Sequence, residues 1–253
     1  MKDKQSKYEV PAILRADLIL RTLTRQSSPM SSSDLQKACE LPRSTLYLLL
    51  DSLEQRRWIE KVDDGYIIGI NLYSLGMAYL RQDRLQAVFR MKAQQFVEEH
   101  NEVVQLAMLD GSDVVYLGRE DAKRPVRLVS DIGSRLPAHA CALGKVLLAQ
   151  MKDDEVRDLL PEKLEPITSR TIASRQQLLN ELARVRRDGL GLDLEEVAAG
   201  LNCFAAFIGR THLGQSVAVS TSIPTDRLDA TRSQKIQHAI VQLAKDIAQG
   251  IGR

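Results

Sequence analysis

Apolar residues recur at helical spacing in three short blocks near the start of the chain. Ala16, Ile19, Leu20 and Leu23 predict a first helix of about four turns, stopped by the polar run Gln26, Ser27, Ser28, Pro29. Ser31 to Ser33 then offer N-caps to a short second helix carrying Leu35 and Ala38. After Cys39, Glu40 and Leu41 a third helix begins at Pro42, where proline is tolerated, and Leu46, Leu49, Leu50 and Leu53 give it an i, i+3, i+4, i+7 stripe. The connection of about three residues is helix-turn-helix spacing. The stripe faces a core, which leaves Arg43, Ser44 and Thr45 in the first turn to meet a phosphate or base edge outside the protein. In WIEKVDDGYIIGI, Asp64-Gly65 separates two apolar runs, a hairpin signal, so three helices and a hairpin read as a winged helix or as a small helical subdomain.

The period changes further on. Residues 70 to 80 predict a linker helix with Leu72, Leu75, Gly76 and Tyr79, ending in the charged RQDR at 81 to 84. An amphipathic helix over 85 to 100 follows, then EVVQLAML, a DGSD turn and VVYLG, which form a second hairpin pattern. A helix over about 139 to 151, another over 174 to 188 opened by a Ser174/Gln177 capping box and closed by Gly189, strands near 204 to 209 and 215 to 222, and a final helix complete the pattern. Strands and helices mix without βαβ regularity, so the expected second domain is α+β around an antiparallel sheet.

Composition alters this picture little. At 253 residues, two domains are the better expectation, and 44% apolar with 27% charged residues is ordinary for a globular protein. No apolar run approaches a membrane span, and the opening MKDKQSKYEV lacks the apolar segment of an export signal, so a cytoplasmic location without membrane contact is expected. Cys39, Cys141 and Cys203 show no CxxC spacing, which argues for reduced thiols. Through residue 80 there are eleven Lys or Arg against ten Asp or Glu, so bulk charge does not announce nucleic-acid binding and the claim rests on geometry.

Three stretches of the second domain set polar residues among apolar ones. In GSRLPAHACALGKVLLA, small residues lead into a helix start where backbone amides are open to an anion or, alternatively, where helix and sheet pack closely. In GLGLDLEEVAAGLNC, Asp193 stands between two leucines, as a buried acid or as a surface loop residue. In VAVSTSIP, Ser220 and Ser222 point to one face of a strand, either inward with partners to find or on an exposed edge. An enzyme of GAF type using Cys141 and Cys203 chemistry is the alternative function, although the metalloprotease, nucleophile-elbow and phosphate-loop patterns are absent.

Taken in order, the winged helix, GSRLPAHACALGKVLLA, VRRDGLGLDLEEVAAGLNCFAAFI and VAVSTSIP resemble the IclR family of bacterial transcriptional regulators from about residue 11 to the end. The resemblance implies a winged helix-turn-helix over 1 to 69, a linker helix over 70 to 83 and a GAF-like effector domain over 84 to 253, assembled as a homodimer or dimer of dimers on palindromic operator DNA. Arg43, Ser44, Thr45 and Tyr47 would enter the groove and Lys61, beside the wing turn, would meet phosphate. Family effector positions fall on Ala142, Leu143, Asp193, Cys203, Ser220 and Ser222, with apolar walls at Leu128, Leu136 and Leu201. A small carboxylate effector, a hydroxy- or keto-acid such as a sugar acid, is expected, with no cofactor and no metal. Some relatives carry zinc in this domain, which would involve His139 and Cys141. Leu48 stands where many members have a basic residue, and Phe207 where many have proline.

Overall fold

The computed structural model describes residues 10–80, 84–124 and 128–252, apart from the side chain of Leu80, and the chain divides near residue 82 into two compact units. In the first, α1 (Pro11–Thr24), α2 (Ser32–Cys39) and α3 (Arg43–Gln55) enclose Ile19, Leu23, Leu35, Leu46, Leu50 and Leu53, the residues of the apolar stripes. Ser31 caps α2 by accepting from the Asp34 amide at 3.1 Å, and Pro42 is the N-cap of α3. Each large aliphatic side chain buried this way contributes about 1.5–3 kcal/mol.

The wing consists of β1 (Ile59–Val62) and β2 (Gly65–Ile68), antiparallel with Val62 opposite Gly65. Its turn is therefore Asp63-Asp64, one residue earlier than the Asp64-Gly65 expected. Gly65 is required for another reason: a Cβ there would lie 2.4 Å from the carbonyl oxygen of Met30, whose backbone exchanges hydrogen bonds of 3.1 and 2.9 Å with Tyr66. The helix α4 (Ile70–Leu80) follows directly.

The second unit is built on a six-stranded antiparallel sheet in the order β5-β4-β3-β8-β7-β6. These strands are β3 (Val103–Asp110), β4 (Asp113–Glu120), β5 (Arg135–Pro137), β6 (Gly191–Leu194), β7 (Leu201–Arg210) and β8 (Ser216–Pro224). Alternation along β8 sets the two faces. Val217, Val219 and Ile223 pack against α5 (Leu85–His100) and α9 (Ala230–Gly250), whereas Ala218 faces α6 (Ala142–Leu148) and α8 (Arg175–Asp188). This is the α+β architecture expected.

Several boundaries differ from expectation. The helix placed at 139 to 151 begins three residues later, because Cys141 is its N-cap and its sulfur accepts from the Gly144 amide at 3.4 Å. A short helix α7 (Asp153–Leu159), β5 and β6 were not foreseen. The helix α6 lies close against its surroundings through two glycines. A Cβ on Gly144 would sit 2.0 Å from the Ala138 carbonyl oxygen, and one on Gly191 would sit 2.4 Å from Val146 and 2.5 Å from the Ala142 carbonyl. Close packing, one of the two alternatives posed for this stretch, is present: residues 138 to 149 are all buried.

Candidate functional site

The first unit presents a polar tip at the start of α3. Arg43 and Ser44 are exposed, Thr45 is half-buried, and Tyr47 and Leu48 are 45% and 74% exposed. The Arg43 guanidinium carbon lies 5.6 Å from the centre of the Tyr47 ring, and the Tyr47 hydroxyl shares a 3.2 Å hydrogen bond with Ser32 at the start of α2. That bond, then Arg43 and the charge of Lys61, lowers the phenol's pKa, so Lys61 on the wing and Arg43 on α3 act on the same patch. No acidic residue stands in the first turn of α3. Of the five residues expected at the DNA, Arg43, Ser44 and Tyr47 are exposed at one helix start and Lys61 is exposed on the wing, an arrangement of open amides and cations that suits a phosphate. The outward face also carries the apolar Leu48, suited to contact with a thymine methyl and not to a phosphate.

The second unit contains a cavity on the α6 face of the sheet. All nine residues expected around an effector line it: Leu128, Leu136, Ala142, Leu143, Asp193, Leu201, Cys203, Ser220 and Ser222. They surround a cavity of about 20 Å³, room for little more than a water molecule and far below the roughly 300–1,000 Å³ usual for ligand pockets. Strand register explains the assembly. Asp193 is opposite Cys203 and Cys203 opposite Ser222, which makes one row across three strands. Ser220 is opposite Gln105, which makes a second row on the same face.

Both serines are buried on β8, an interior strand, so the edge-strand explanation fails for them. Asp193 is 1% exposed, so it is not a surface loop residue. Its Oδ1 accepts from the amides of Glu196 at 2.7 Å and Val197 at 3.4 Å. Burial nevertheless dominates, and with the neighbouring Glu196 charge it raises the Asp193 pKa to about 6 against the opposing pull of Lys145. Lys145 is itself buried, donating to the Leu192 carbonyl at 2.9 Å and to the Glu196 carboxylate. This buried pair ties α6 to the segment that carries Asp193.

Gln105, Tyr116, Val129, Ser130 and Val197 also line the cavity and were not singled out from the sequence. Gln105 Nε2 donates to the Ser130 hydroxyl at 3.0 Å, so the sheet holds the 128–130 segment over the opening. A lone glutamine inside VVQLAML was a visible signal; Ser130 lies in a loop whose path no periodicity reports.

Thiol chemistry has no support here. Burial pushes Cys141 up to about 12 and holds Cys203 well above its ordinary value, so neither supplies a thiolate near neutral pH. The Cys203 sulfur instead shares a 3.2 Å hydrogen bond with the Ser222 hydroxyl. His139 Nε2 is 2.9 Å from the Glu165 carbonyl oxygen, and among the described residues no group of three or more His, Cys, Asp or Glu side chains is arranged to hold a metal. No helix among them is long and apolar enough to cross a membrane.

Comparison with known proteins agrees with both halves of this description. Residues 77–249 match the family model described as bacterial transcriptional regulator IclR C-terminal, and residues 12–63 match the IclR helix-turn-helix domain. The chain is 29% identical to the transcriptional repressor IclR of Escherichia coli (strain K12) over 249 residues, covering 96% of this chain and 91% of that protein. It is 30% identical to the HTH-type transcriptional repressor AllR of Salmonella typhi over 244 residues, 95% of this chain and 90% of that protein. In fold it is similar to an IclR transcriptional regulator from Alicyclobacillus acidocaldarius, with a TM-score of 0.84 at 20% identity over 97% of this chain and all of the other.

Proposed function

This chain belongs to the IclR family of bacterial transcriptional regulators, and from that premise we propose that it is a cytoplasmic repressor whose hold on operator DNA is set by a small carboxylate in the cavity of its second unit. Its homologues are regulators, and the buried, neutral thiols leave the enzyme alternative without chemistry. The observation that carries the effector reading is the convergence of hydroxyls, an amide and one acid in a small, mostly apolar space on one face of the sheet. Ser220 and Ser222 donate to the carboxylate, Leu128, Leu136 and Leu201 wall its carbon skeleton, and Ala142 and Leu143 bring backbone alongside it. The guest in this reading is a hydroxy- or keto-acid, and the regulated genes those of a catabolic operon.

At the DNA, Arg43, Ser44 and Tyr47 reach the groove, Thr45 supports them, and Lys61 meets phosphate. One helix reads too few base pairs for useful specificity, so the active form is a homodimer or dimer of dimers. Exposed apolar residues support this: Val10, Ile13, Leu14 and Leu18 along α1, and Ile70, Tyr73 and Leu75 on α4. A gel shift with the DNA upstream of the protein's own gene and its neighbours tests the reading. A discrete salt-sensitive complex is expected, and turnover of a small substrate without any such complex would overturn it. Light scattering at micromolar concentration should show at least a dimer.

A further inference from the structure

We infer that the cavity takes its carboxylate as a monoanion together with one proton, with Asp193 entering as the neutral acid and donating a hydrogen bond to the bound anion. This rests on the reading of the cavity as a carboxylate site. Among its described lining residues there is no lysine or arginine, and Asp193 is the sole carboxylate. The cations nearby are committed elsewhere. Lys145, from α6, is bound to Glu196 and the Leu192 carbonyl, and Arg119, from β4, to Asp121 at 2.7 Å and the Ser130 carbonyl at 3.3 Å.

An anion placed against ionised Asp193 would put two like charges into a site only partly open to water, where their repulsion is weakly screened. A proton between them removes the conflict. Asp193 Oδ1 is engaged by the Glu196 and Val197 amides and the side chain also meets the Cys203 thiol, whose alternative partner is the Ser222 hydroxyl at 3.2 Å; with that thiol turned to Ser222, the second carboxyl oxygen carries the proton toward the guest. Glu196 on its own segment favours the neutral acid, and Lys145 opposes it. Cys141 on α6, Cys203 on β7 and Tyr116 on β4 all have raised pKa values and stay neutral at physiological pH. Glu195 points away, to Arg170 at 3.3 Å and Thr225 at 3.1 Å. Asp193 alone therefore titrates near neutrality, with a pKa of about 6.

The sign follows from this. If only the protonated site accepts the anion, apparent affinity falls in proportion to the protonated fraction, roughly a hundredfold from about pH 5 to about pH 8. If ionised Asp193 instead accepted a hydroxyl from the guest, binding would strengthen across the same range. A dianion, as malonate is at about pH 8, brings a second charge and no second proton and is excluded there.

The experiment is calorimetric titration of the full chain with lactate, pyruvate, gluconate and malonate between about pH 5 and pH 8, in two buffers of different ionisation enthalpy. The monoanion that binds should take up close to one proton per site at about pH 8, and malonate, a dianion at that pH, should not bind there. In Asp193→Asn, whose amide always donates, uptake should vanish and the pH dependence flatten. Binding of a monoanion with no proton uptake, or stronger binding at high pH, overturns the inference while leaving the carboxylate reading intact. Failure of all three monoanions at every pH overturns the carboxylate reading and the inference with it. Should Asp193→Asn not fold, proton uptake by the unaltered chain decides alone.

Discussion

The two polar clusters of this protein are built on opposite principles. At the tip of α3, Arg43, Ser44 and Tyr47 stand in solvent, and their contacts lie at the surface: Tyr47 with Ser32 of α2, and Arg43 over the Tyr47 ring. Around the cavity Asp193, Ser220, Ser222 and Gln105 are buried, as is Lys145 outside it, and several hold partners distant in sequence: Ser222 the Cys203 sulfur, Gln105 the Ser130 hydroxyl and Lys145 the Leu192 carbonyl. Tip residues can therefore be exchanged singly without disturbing the core, so affinity for a new operator can change while stability stays constant. Cavity residues satisfy one another, and a change at one leaves its partner unpaired in a dry setting. Changes at the tip spare the core, and changes at the buried contacts shared across the second unit do not.

The most severe break in this contrast comes from the cavity side. Lys145→Met should destabilise the second unit by about 3–5 kcal/mol, because it strands a buried Glu196 whose Oε2 already has no hydrogen-bond partner among the described residues. Chemical denaturation followed by circular dichroism measures this, and adding Glu196→Leu should recover much of the loss; a lone Lys145→Met variant as stable as the parent would remove the distinction. At the tip, Arg43→Ala should leave stability within about 0.5 kcal/mol and weaken operator binding by about 1–3 kcal/mol. Fluorescence anisotropy with operator variants separates the possibilities, since loss confined to one base position marks base reading and a uniform loss marks phosphate contact. The smallest change should come from Lys61→Ala, which removes one phosphate contact and reduces the slope of log affinity against log salt by roughly 0.9, with sequence preference unaltered. An unchanged slope would take Lys61 out of the interface.

The same contrast governs what the amino-acid order disclosed. Helices α1 to α3 were legible because a local period with its caps specifies both their ends and their inward faces. The wing turn was misplaced by one residue because Gly65 answers to a backbone neighbour, Met30, distant in sequence, and not to the turn. Strands β5 and β6, of three and four residues, are too short to show alternation, and in β6 the buried acid interrupts it. The start of α6 was read too early because Ala138 and Ala140 look helical, while the capping sulfur of Cys141 decides the boundary. Of the cavity's nine expected residues, strand alternation singled out Ser220 and Ser222 and an acid between leucines marked Asp193, while Leu128, Leu136 and Leu201 came from the family resemblance alone. Gln105 was within reach as a lone polar residue in an apolar strand; Tyr116 and Ser130 required strand register and a loop path. Both are long-range properties.

The central claim is that occupancy of the cavity sets affinity for DNA, which demands that the guest bind the DNA-competent and DNA-incompetent arrangements unequally. It is tested most directly by anisotropy titration of the DNA upstream of the protein's own gene, with and without a saturating monocarboxylate identified by calorimetry, for the parent chain and for Ser220→Ala with Ser222→Ala. The account predicts that the carboxylate shifts operator affinity of the parent by at least about tenfold, a coupling of roughly 1.4 kcal/mol. It also predicts that the double variant binds the same DNA normally and loses the shift. Operator affinity indifferent to a carboxylate that demonstrably fills the cavity, or a full shift retained in the double variant, would contradict it.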